Sequence, residues 1–541
     1  MRCLCASAVV VFAATLLRAA TGSETEQREA PRTEVGNQAC RPCHQAIYEN
    51  YSRTAMARTS GTAGTDLEGS FRHARSGVSY RVFRQGQREV LSYERTGSSA
   101  LLGTQELKYY VGSNTRGRTF LFEIDGFLYQ SPINYYAAKR IWDMSPGYAQ
   151  LRRMELSHPV DATCLFCHAS GRQEPMKGTI NRFAGVPFLQ DGVGCERCHG
   201  PGSDHVNRAG PMVNPAKLTG EQQDSICMQC HLEGEARIVK AARSQADYTP
   251  GEALSDYLAV FVREENQRQR RAVSHVESVA LSRCRRAGGA ALACITCHDP
   301  HSQPSATDRT AFYRAKCIAC HTPMAARHFP GEQDCTACHM PRTESADIRH
   351  TVVTDHRIVR EPRAGQPREQ ESGRLVQFGN LQPEARDLGL AYGEVALRGD
   401  AFAAAEALRL LTSARNQYPD DPELLTRLGY LHQARGEFAL AERYYEQVFT
   451  KHPNSAIAAA NLGVFYARRG LLSRSLEIWR RAFEMNPHLS EVGVNLGRGL
   501  CGAGDGAGAS AVLERVLKHN PDLAIARESL ATVTKGGCRR P

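Results

Sequence analysis

The rhythm of apolar positions changes three times along the chain. Leu4 to Leu17 is almost continuously apolar, with Arg2 before it and the small residues Ala20, Thr21 and Gly22 after it. That run is shorter than the ~20 residues that span a bilayer, and its order of charge, apolar stretch and small residues is that of a secretory signal. Residues 1–22 are therefore expected to be removed on export. Further on, Phe120, Phe122 and Ile124 alternate with Leu121 and Glu123, and Asp125-Gly126 leads into Phe127-Leu128-Tyr129. An Asp-Gly pair between such runs signals a hairpin, so a small β-insert is expected over about 70–133. From Asp387 onward a period of 34 sets in: Pro419, Pro453, Pro487 and Pro521 form one column, Gly429, Gly463 and Gly497 a second, and Gly436, Gly470 and Gly504 a third. Each period fits a pair of helices that cannot bury its apolar face alone, so the pairs must stack. Residues 361–386, rich in Pro, Gly, Gln and charge, read as a linker between this array and what precedes it.

The repeats resemble tetratricopeptide repeats. Leu428-Gly429, Ala441 and Tyr445 carry the likeness in one unit, Leu462-Gly463, Tyr466 and Trp479 in the next, and Leu496-Gly497 and Ala509 in a third. The resemblance covers 387–535, with a degenerate copy in front and a capping helix over 524–533. It implies an α-solenoid that docks a protein partner. The isolated His432, His452, His488 and His519 are expected to be ordinary surface residues.

Composition narrows the rest. A chain of 541 residues with 42% apolar and 23% charged residues is neither a disordered tail nor a polytopic membrane protein. The net charge of +10 invites a nucleic-acid reading, but no zinc-finger spacing, RNP signature or basic stripe accompanies it. The 19 Cys and 19 His are more informative, because fourteen of the former and seven of the latter fall into one motif, C-x-x-C-H. The motifs are Cys40, Cys43 and His44; Cys164, Cys167 and His168; Cys195, Cys198 and His199; Cys227, Cys230 and His231; Cys294, Cys297 and His298; Cys317, Cys320 and His321; and Cys335, Cys338 and His339.

Two thiols one helical turn apart can add to the two vinyl groups on one edge of a haem, and the adjoining histidine then faces the iron. Zinc and disulfides are the competing uses of such cysteines. Neither requires a histidine after every second cysteine, and seven is an odd number for paired four-cysteine sites. Seven covalent c-type haems are therefore expected over 36–360, with these histidines as proximal ligands. At about 46 residues per haem, the porphyrins would have to supply much of the apolar interior, and their propionates would offset the positive charge. Tyr135, Tyr136, Trp142 and Tyr148 are expected to pack around a cofactor edge.

Eight histidines outside the motifs and the repeats, His73, His158, His205, His275, His301, His328, His350 and His356, face seven irons. Filled sixth positions suit electron transfer, because they close the iron to substrate. His158, His205, His350 and His356 are the favoured distal ligands by position. His301 is too close to His298 to reach around the same porphyrin and would have to serve a neighbouring haem or a propionate. His275 and His328 complete the candidates, and His73, in the β-insert, reads as structural. The first motif has no histidine soon after it, which makes Met56 a candidate axial ligand there. Cys284, Cys501 and Cys538 have no warrant for pairing.

The stretches from Gly194 to His205, Cys297-His298-Asp299-Pro300-His301, Cys338-His339-Met340-Pro341 and Thr354-Asp355-His356-Arg357 resemble the multihaem cytochrome c superfamily of pentahaem nitrite reductase, hydroxylamine oxidoreductase and its tetrahaem electron acceptor. The resemblance implies a mainly α, loop-rich fold with stacked haems. The chain departs from the nitrite reductases in lacking a C-x-x-C-K motif. The expected activity is electron transfer by a periplasmic or extracellular protein toward redox partner proteins. Chemistry on a small nitrogen or sulfur species at a five-coordinate haem is the alternative, and a scaffold within a larger cytochrome assembly a third reading.

Overall fold

A computed structural model describes residues 33–538 except 65–66, 98–100, 265–270, 325–333, 361–372 and 380. The expected signal segment and His328 lie outside the described residues.

The β-structure is larger than the pattern suggested. Strands β2 (Gly69–His73), β3 (Val78–Gln85), β4 (Arg88–Arg95), β5 (Leu101–Val111), β6 (Arg118–Ile124), β7 (Phe127–Tyr136) and β8 (Ile141–Met144) pair in chain order, and β1 (Ser60–Thr62) adds to β5. The result is an eight-stranded antiparallel sheet, so "mainly α" describes only the C-terminal part of the chain. Asp125 and Gly126 both take positive φ, 54° and 77°, as the tight turn between β6 and β7 demands. One face buries Tyr80, Leu91, Phe120, Phe122, Phe127 and Tyr129. Trp142 stacks on Phe120 at 5.4 Å, and Tyr136 and Tyr148 are buried. These aromatics, expected around a cofactor edge, belong to the core of the sheet and its flank.

From 145 to 360 the described chain is largely loops punctuated by short helices, several of which carry a C-x-x-C-H motif. A second, three-stranded sheet follows the order β11 (Ala236–Val239), β12 (Leu258–Arg263), β15 (Leu375–Gln377). Strand β15 falls inside the segment expected to be a linker.

Nine helices between Ala385 and Thr534 form the repeat array. The two glycine columns have separate physical causes. A Cβ on Gly429 would meet Tyr445 at 2.8 Å, one on Gly497 would meet Leu513 at 2.7 Å, and one on Gly463 would overlap the Trp479 indole. These glycines let the two helices of a pair approach closely. Gly436, Gly470 and Gly504 instead hold φ of 77°, 76° and 85° just after a helix end, where a side chain would be strained.

Both ends of the array are fastened to the rest of the molecule. The first helix, Ala385–Ala396, covers the β11-β12-β15 sheet, and its Leu390, Tyr392 and Val395 share one apolar core with Ile238, Phe261 and Leu375. Arg386 donates to the Val239 carbonyl at 2.9 Å, and Lys240 pairs with Asp387 at 2.8 Å. At the other end, Asp522 receives Arg95 of β4 and the Met154 amide, while Lys518 and His519 reach Asp125 at the β6–β7 turn. His519 is fully buried, contrary to the surface position expected for it, and accepts from or donates to the Tyr129 hydroxyl at 3.0 Å. Cys501 and Cys538, for whose pairing the sequence holds no warrant, form a disulfide that joins the helix Ser490–Gly502 to the segment after the last helix.

Candidate functional site

The C-x-x-C-H motifs wind as single helical turns. The amide of the closing histidine donates to the carbonyl of the first cysteine in His44, His199, His298 and His321, at 2.9–3.1 Å. That turn sets the two thiols on one side, since residues three apart on a helix are neighbours. Local capping fixes where several turns begin. Asp161 accepts from the Thr163 and Cys164 amides, Asp334 from those of Thr336 and Ala337, and Thr219 caps the helix Gly220–His231 through a box with Gln222.

The fold brings the motifs into contact with one another. The Cys40 and Cys195 thiols lie beside one another, as do those of Cys167 and Cys230, Cys227 and Cys294, and Cys317 and Cys335. Cys198 lies within electrostatic reach of Cys227, and Cys297 of Cys320. The first motif therefore adjoins the third, the third the fourth, and the fourth both the second and the fifth, after which the sixth and seventh follow. The connection from the first to the third is pinned by Glu196, a buried carboxylate accepting from the Val35, Gly36 and Gly202 amides at 2.7–2.8 Å, and by Asn37, which accepts from the Cys195 amide. The fourth and fifth are joined by Asp224, which receives the Cys294 amide at 2.9 Å. Burial drives the Cys195 and Cys198 thiols up to about 12, whereas Cys167, receiving a hydrogen bond from Cys230, falls to about 7.

Four motif cysteines, Cys43, Cys164, Cys320 and Cys338, are exposed. Cys43 shows the reason. Its amide donates to the Cys40 carbonyl at 3.3 Å, so the turn of the first motif forms as predicted. That motif stands at one end of the series, however, and it is Cys40 that meets the third motif, through Cys195, which leaves Cys43 open to solvent. Its place beside Cys40 still suits it to one edge of a haem, but an edge at the surface of the molecule and not within it.

Histidines distant in sequence meet in pairs. His44 and His205 stack with centroids 6.3 Å apart, His199 and His301 at 6.0 Å, and His298 and His356 at 6.2 Å. His275 lies 5.3 Å from His231 and 5.0 Å from His356. Two imidazoles bound to one metal at about 2 Å each put their ring centres about 6 Å apart, so three of these pairs fit an iron between them. The ring nitrogens agree: Nδ1 of His199 sits on the Val213 carbonyl at 2.8 Å and Nδ1 of His356 on the Thr354 carbonyl at 3.0 Å, which turns Nε2 toward the partner ring. Nδ1 of His339 is likewise on the Val359 carbonyl, at 2.7 Å. Burial holds His275 down at about 3 and His298 at about 4, so both are neutral, the form that can ligate iron. The residues fit c-type haem.

Other candidates are placed elsewhere. His350 gives Nε2 to Asp143 at 2.7 Å, and His73 spends both nitrogens, on Ser76 and on the Ala149 carbonyl. His158 packs against Tyr148 with centroids 5.9 Å apart. His205, not Met56, is the residue whose ring faces His44. His168 is half-buried with its Nδ1 buried and unpartnered, and among the described residues no histidine ring lies against it. Sequence reasoning passed over Glu196, Asp224, Phe166, Arg197 and Gln229. Four of these lie within or beside the motifs, at positions that the C-x-x-C-H pattern leaves variable.

A family model of the tetratricopeptide repeat matches residues 426–488, and one of cytochrome c554 and c-prime matches residues 138–200, which hold the second and third motifs. No curated protein matches the chain. Among solved structures, a crystal structure of MamA is similar at 19% identity over 28% of this chain and 83% of its own, with a TM-score of 0.26. MamA of AMB-1 is similar at 18% identity over 28% of this chain and 80% of its own, with a TM-score of 0.25. A tetratricopeptide repeat protein from Parabacteroides merdae shows 18% identity over 28% of this chain and 60% of its own, also at 0.25. The chain thus joins a cytochrome c-type region, of a kind that binds haem covalently, to repeats of a class that mediates contacts between proteins. Among the described residues no helix is long and apolar enough to cross a membrane.

Proposed function

We propose that this chain is an exported seven-haem c-type cytochrome that passes electrons between redox partner proteins, with the repeat array as a docking surface. The observation that carries the reading is the histidine pairing: motif histidines His44, His199 and His298 each have a second histidine ring about 6 Å away, namely His205, His301 and His356, and His275 lies beside His231. Paired axial ligands close the iron to substrates and favour transfer over catalysis. Bound haem supplies the one-electron ferric/ferrous couple. The chain's own residues then do three things: the cysteines fix each haem edge, the backbone carbonyls behind His199, His339 and His356 hold the imidazoles in place, and the cross-motif contacts set the order of transfer. That order runs from the first motif to the third and fourth, and on through the fifth, sixth and seventh, with the second as a branch from the fourth.

His168 favours a second reading for that branch. No histidine ring lies against it among the described residues, and a haem there that received no ligand from elsewhere in the chain would offer its sixth position to a small nitrogen or sulfur species. The export signal at 1–22 and the disulfide both suit a periplasmic or extracellular setting. Haem content by the pyridine haemochrome assay, with electron paramagnetic resonance on the same sample, tests both readings. Seven low-spin haems inert to nitrite, hydroxylamine and carbon monoxide are the outcome expected of a carrier. A high-spin haem that binds one of these ligands would favour the enzyme instead.

A further inference from the structure

Three arginines gather where the second, third and fourth motifs meet. The Phe166 ring, inside the second motif and 1% exposed, has the guanidinium of Arg197 over it at 4.0 Å and that of Arg172 at 4.7 Å. Arg197 belongs to the third motif and donates to the Phe166 carbonyl at 2.7 Å. Arg237 donates to the carbonyls of Gln229, in the fourth motif, at 2.8 Å and of Leu232. Gln229 is 1% exposed, and its own carbonyl also faces the Cys167 thiol at 3.9 Å. All three guanidinium groups act electrostatically on Cys167, and Arg197 and Arg237 also on Cys230.

Among the described residues none of the three has a carboxylate in ion-pair contact. Their hydrogen bonds go to backbone carbonyls, and Glu34 and Glu174 reach Arg172 only through space. Several other half-buried arginines are matched: Arg95 has Asp522, Arg285 has Asp224, Arg271 has Glu235 and Arg386 has Asp421, whereas Arg116 and Arg118 stand singly on the Ala272 carbonyl and the Tyr110 ring. Concentrating unmatched positive charge in a half-buried place is costly, because desolvation is not repaid by a counter-ion.

We infer that Arg172, Arg197 and Arg237 form an electrostatic trap that makes the haems of the second and fourth motifs the highest in reduction potential. The inference rests on the proposed seven-haem reading. Reduction of each iron adds one electron, delivered by a neighbouring haem or a donor protein, and so lowers the local charge by one. Uncompensated cations within the protein stabilise that reduced state more than the oxidised one. Electrons entering at either end of the chain then settle at the junction from which the second motif branches.

The test is a spectroelectrochemical titration of the full-length holoprotein, with haem content measured on the same samples. R172Q, R197Q and R237Q are compared with R443Q, a substitution in the repeat array. Each of the first three is expected to move the midpoint potentials of the same two haems downward, and R443Q to move none. R237K, which keeps the charge and loses the forked hydrogen bonds, is expected to leave the potentials near those of the parent. Unchanged potentials in all three glutamine variants with full haem content would overturn the inference. So would a shift in R237K as large as that in R237Q, since geometry rather than charge would then be responsible. A haem propionate seated on the cluster would cancel its charge and give the first of these negative results. A parent protein with fewer than seven haems would instead overturn the seven-haem reading, and the shifts would still be read on the haems present.

Discussion

The imidazoles of His44 and His205 face one another with centroids 6.3 Å apart and planes 26° apart, although they stand far apart in the chain. What brings them together is the Glu196 carboxylate, which binds the backbone before the first motif and the Gly202 amide ahead of His205. This clamp gives the first motif the partner that its own neighbourhood lacks.

A consequence is a sharp difference between two substitutions. H205A is expected to convert one haem from low to high spin, seen as a new low-field signal in paramagnetic resonance, while covalent haem content is unchanged because the thioethers at Cys40 and Cys43 remain. M56L is expected to leave the spectrum as it was. A high-spin signal in M56L and none in H205A would reverse the assignment.

The repeat array was legible from sequence to within a few residues, because its 34-residue period repeats a steric necessity at each helix contact and each helix end. The hairpin at Asp125-Gly126 was legible for a similar reason, since only a few residue types accept two consecutive positive φ angles. The size of the sheet was not. Strands such as Leu101–Val111 interleave Thr, Gln, Glu and Lys with apolar residues and give no clean alternation. His205 and His356 were favoured by position, but which histidine meets which escaped local reasoning because the motifs are tied together by long-range polar contacts. His301 beside His199 and His356 beside His298 are settled by tertiary structure, whereas the proximal positions are written in the motif itself. Which thiol of a motif faces inward is tertiary too, as the contrast between Cys40 and the exposed Cys43 shows. The linker assignment failed at β15, where three residues complete a sheet built from strands more than a hundred residues earlier.

The glycine column at helix contacts predicts an overpacking penalty. G463A would drive a methyl group into the Trp479 indole, which donates to the Ala460 carbonyl at 3.1 Å and is 5% exposed. A loss of about 1–3 kcal/mol is expected, read as a lower denaturant midpoint for the helical signal at 222 nm. G502A, with open space around it, serves as the control and is expected to be neutral or slightly stabilising. Equal effects in the two would refute the steric account.

The disulfide predicts a redox-dependent stability for the last repeat. Cys501 and Cys538 close a loop of 37 residues around the helices Gly506–His519 and Ala524–Thr534. Replacing both by serine is expected to cost about 2–4 kcal/mol and to speed amide exchange in 506–534 more than in 385–414. A reductant should reproduce the effect in the parent and do nothing further to the double variant. Free thiols at both positions in purified oxidised protein would show the bond to be absent.

Because both ends of the array are anchored, deleting it would uncover the apolar face of β11, β12 and β15, and loss of function in such a truncation would not identify a docking role. The anchor at Asp125 offers a gentler probe through pH. Burial alone would raise the Asp125 carboxyl, but hydrogen bonds from Lys518 and His519 prevail and hold it below its ordinary value. His519 is depressed to about 4, mainly by burial, with Arg515 and Lys518 adding to the shift against the pull of Asp125. As a neutral ring it donates from Nε2 to Asp125 at 3.1 Å and accepts the Tyr129 hydroxyl proton at Nδ1. Between pH 6.5 and 4 the unfolded or undocked histidine binds a proton that the docked one does not, so this contribution is complete above about 6.5 and declines as pH falls toward 4. The loss is on the order of 2 kcal/mol. Below 4, protonation of Asp125 and of Asp522, itself held low by Arg95 against burial, weakens both contacts further. Hydrogen exchange over 506–534 should therefore accelerate, beyond the intrinsic rate, as pH drops from 7 to 4. H519Q, neutral throughout, should flatten that profile while keeping the steeper loss below 4. A profile unchanged by H519Q would place the acid sensitivity of this anchor in its carboxylates alone.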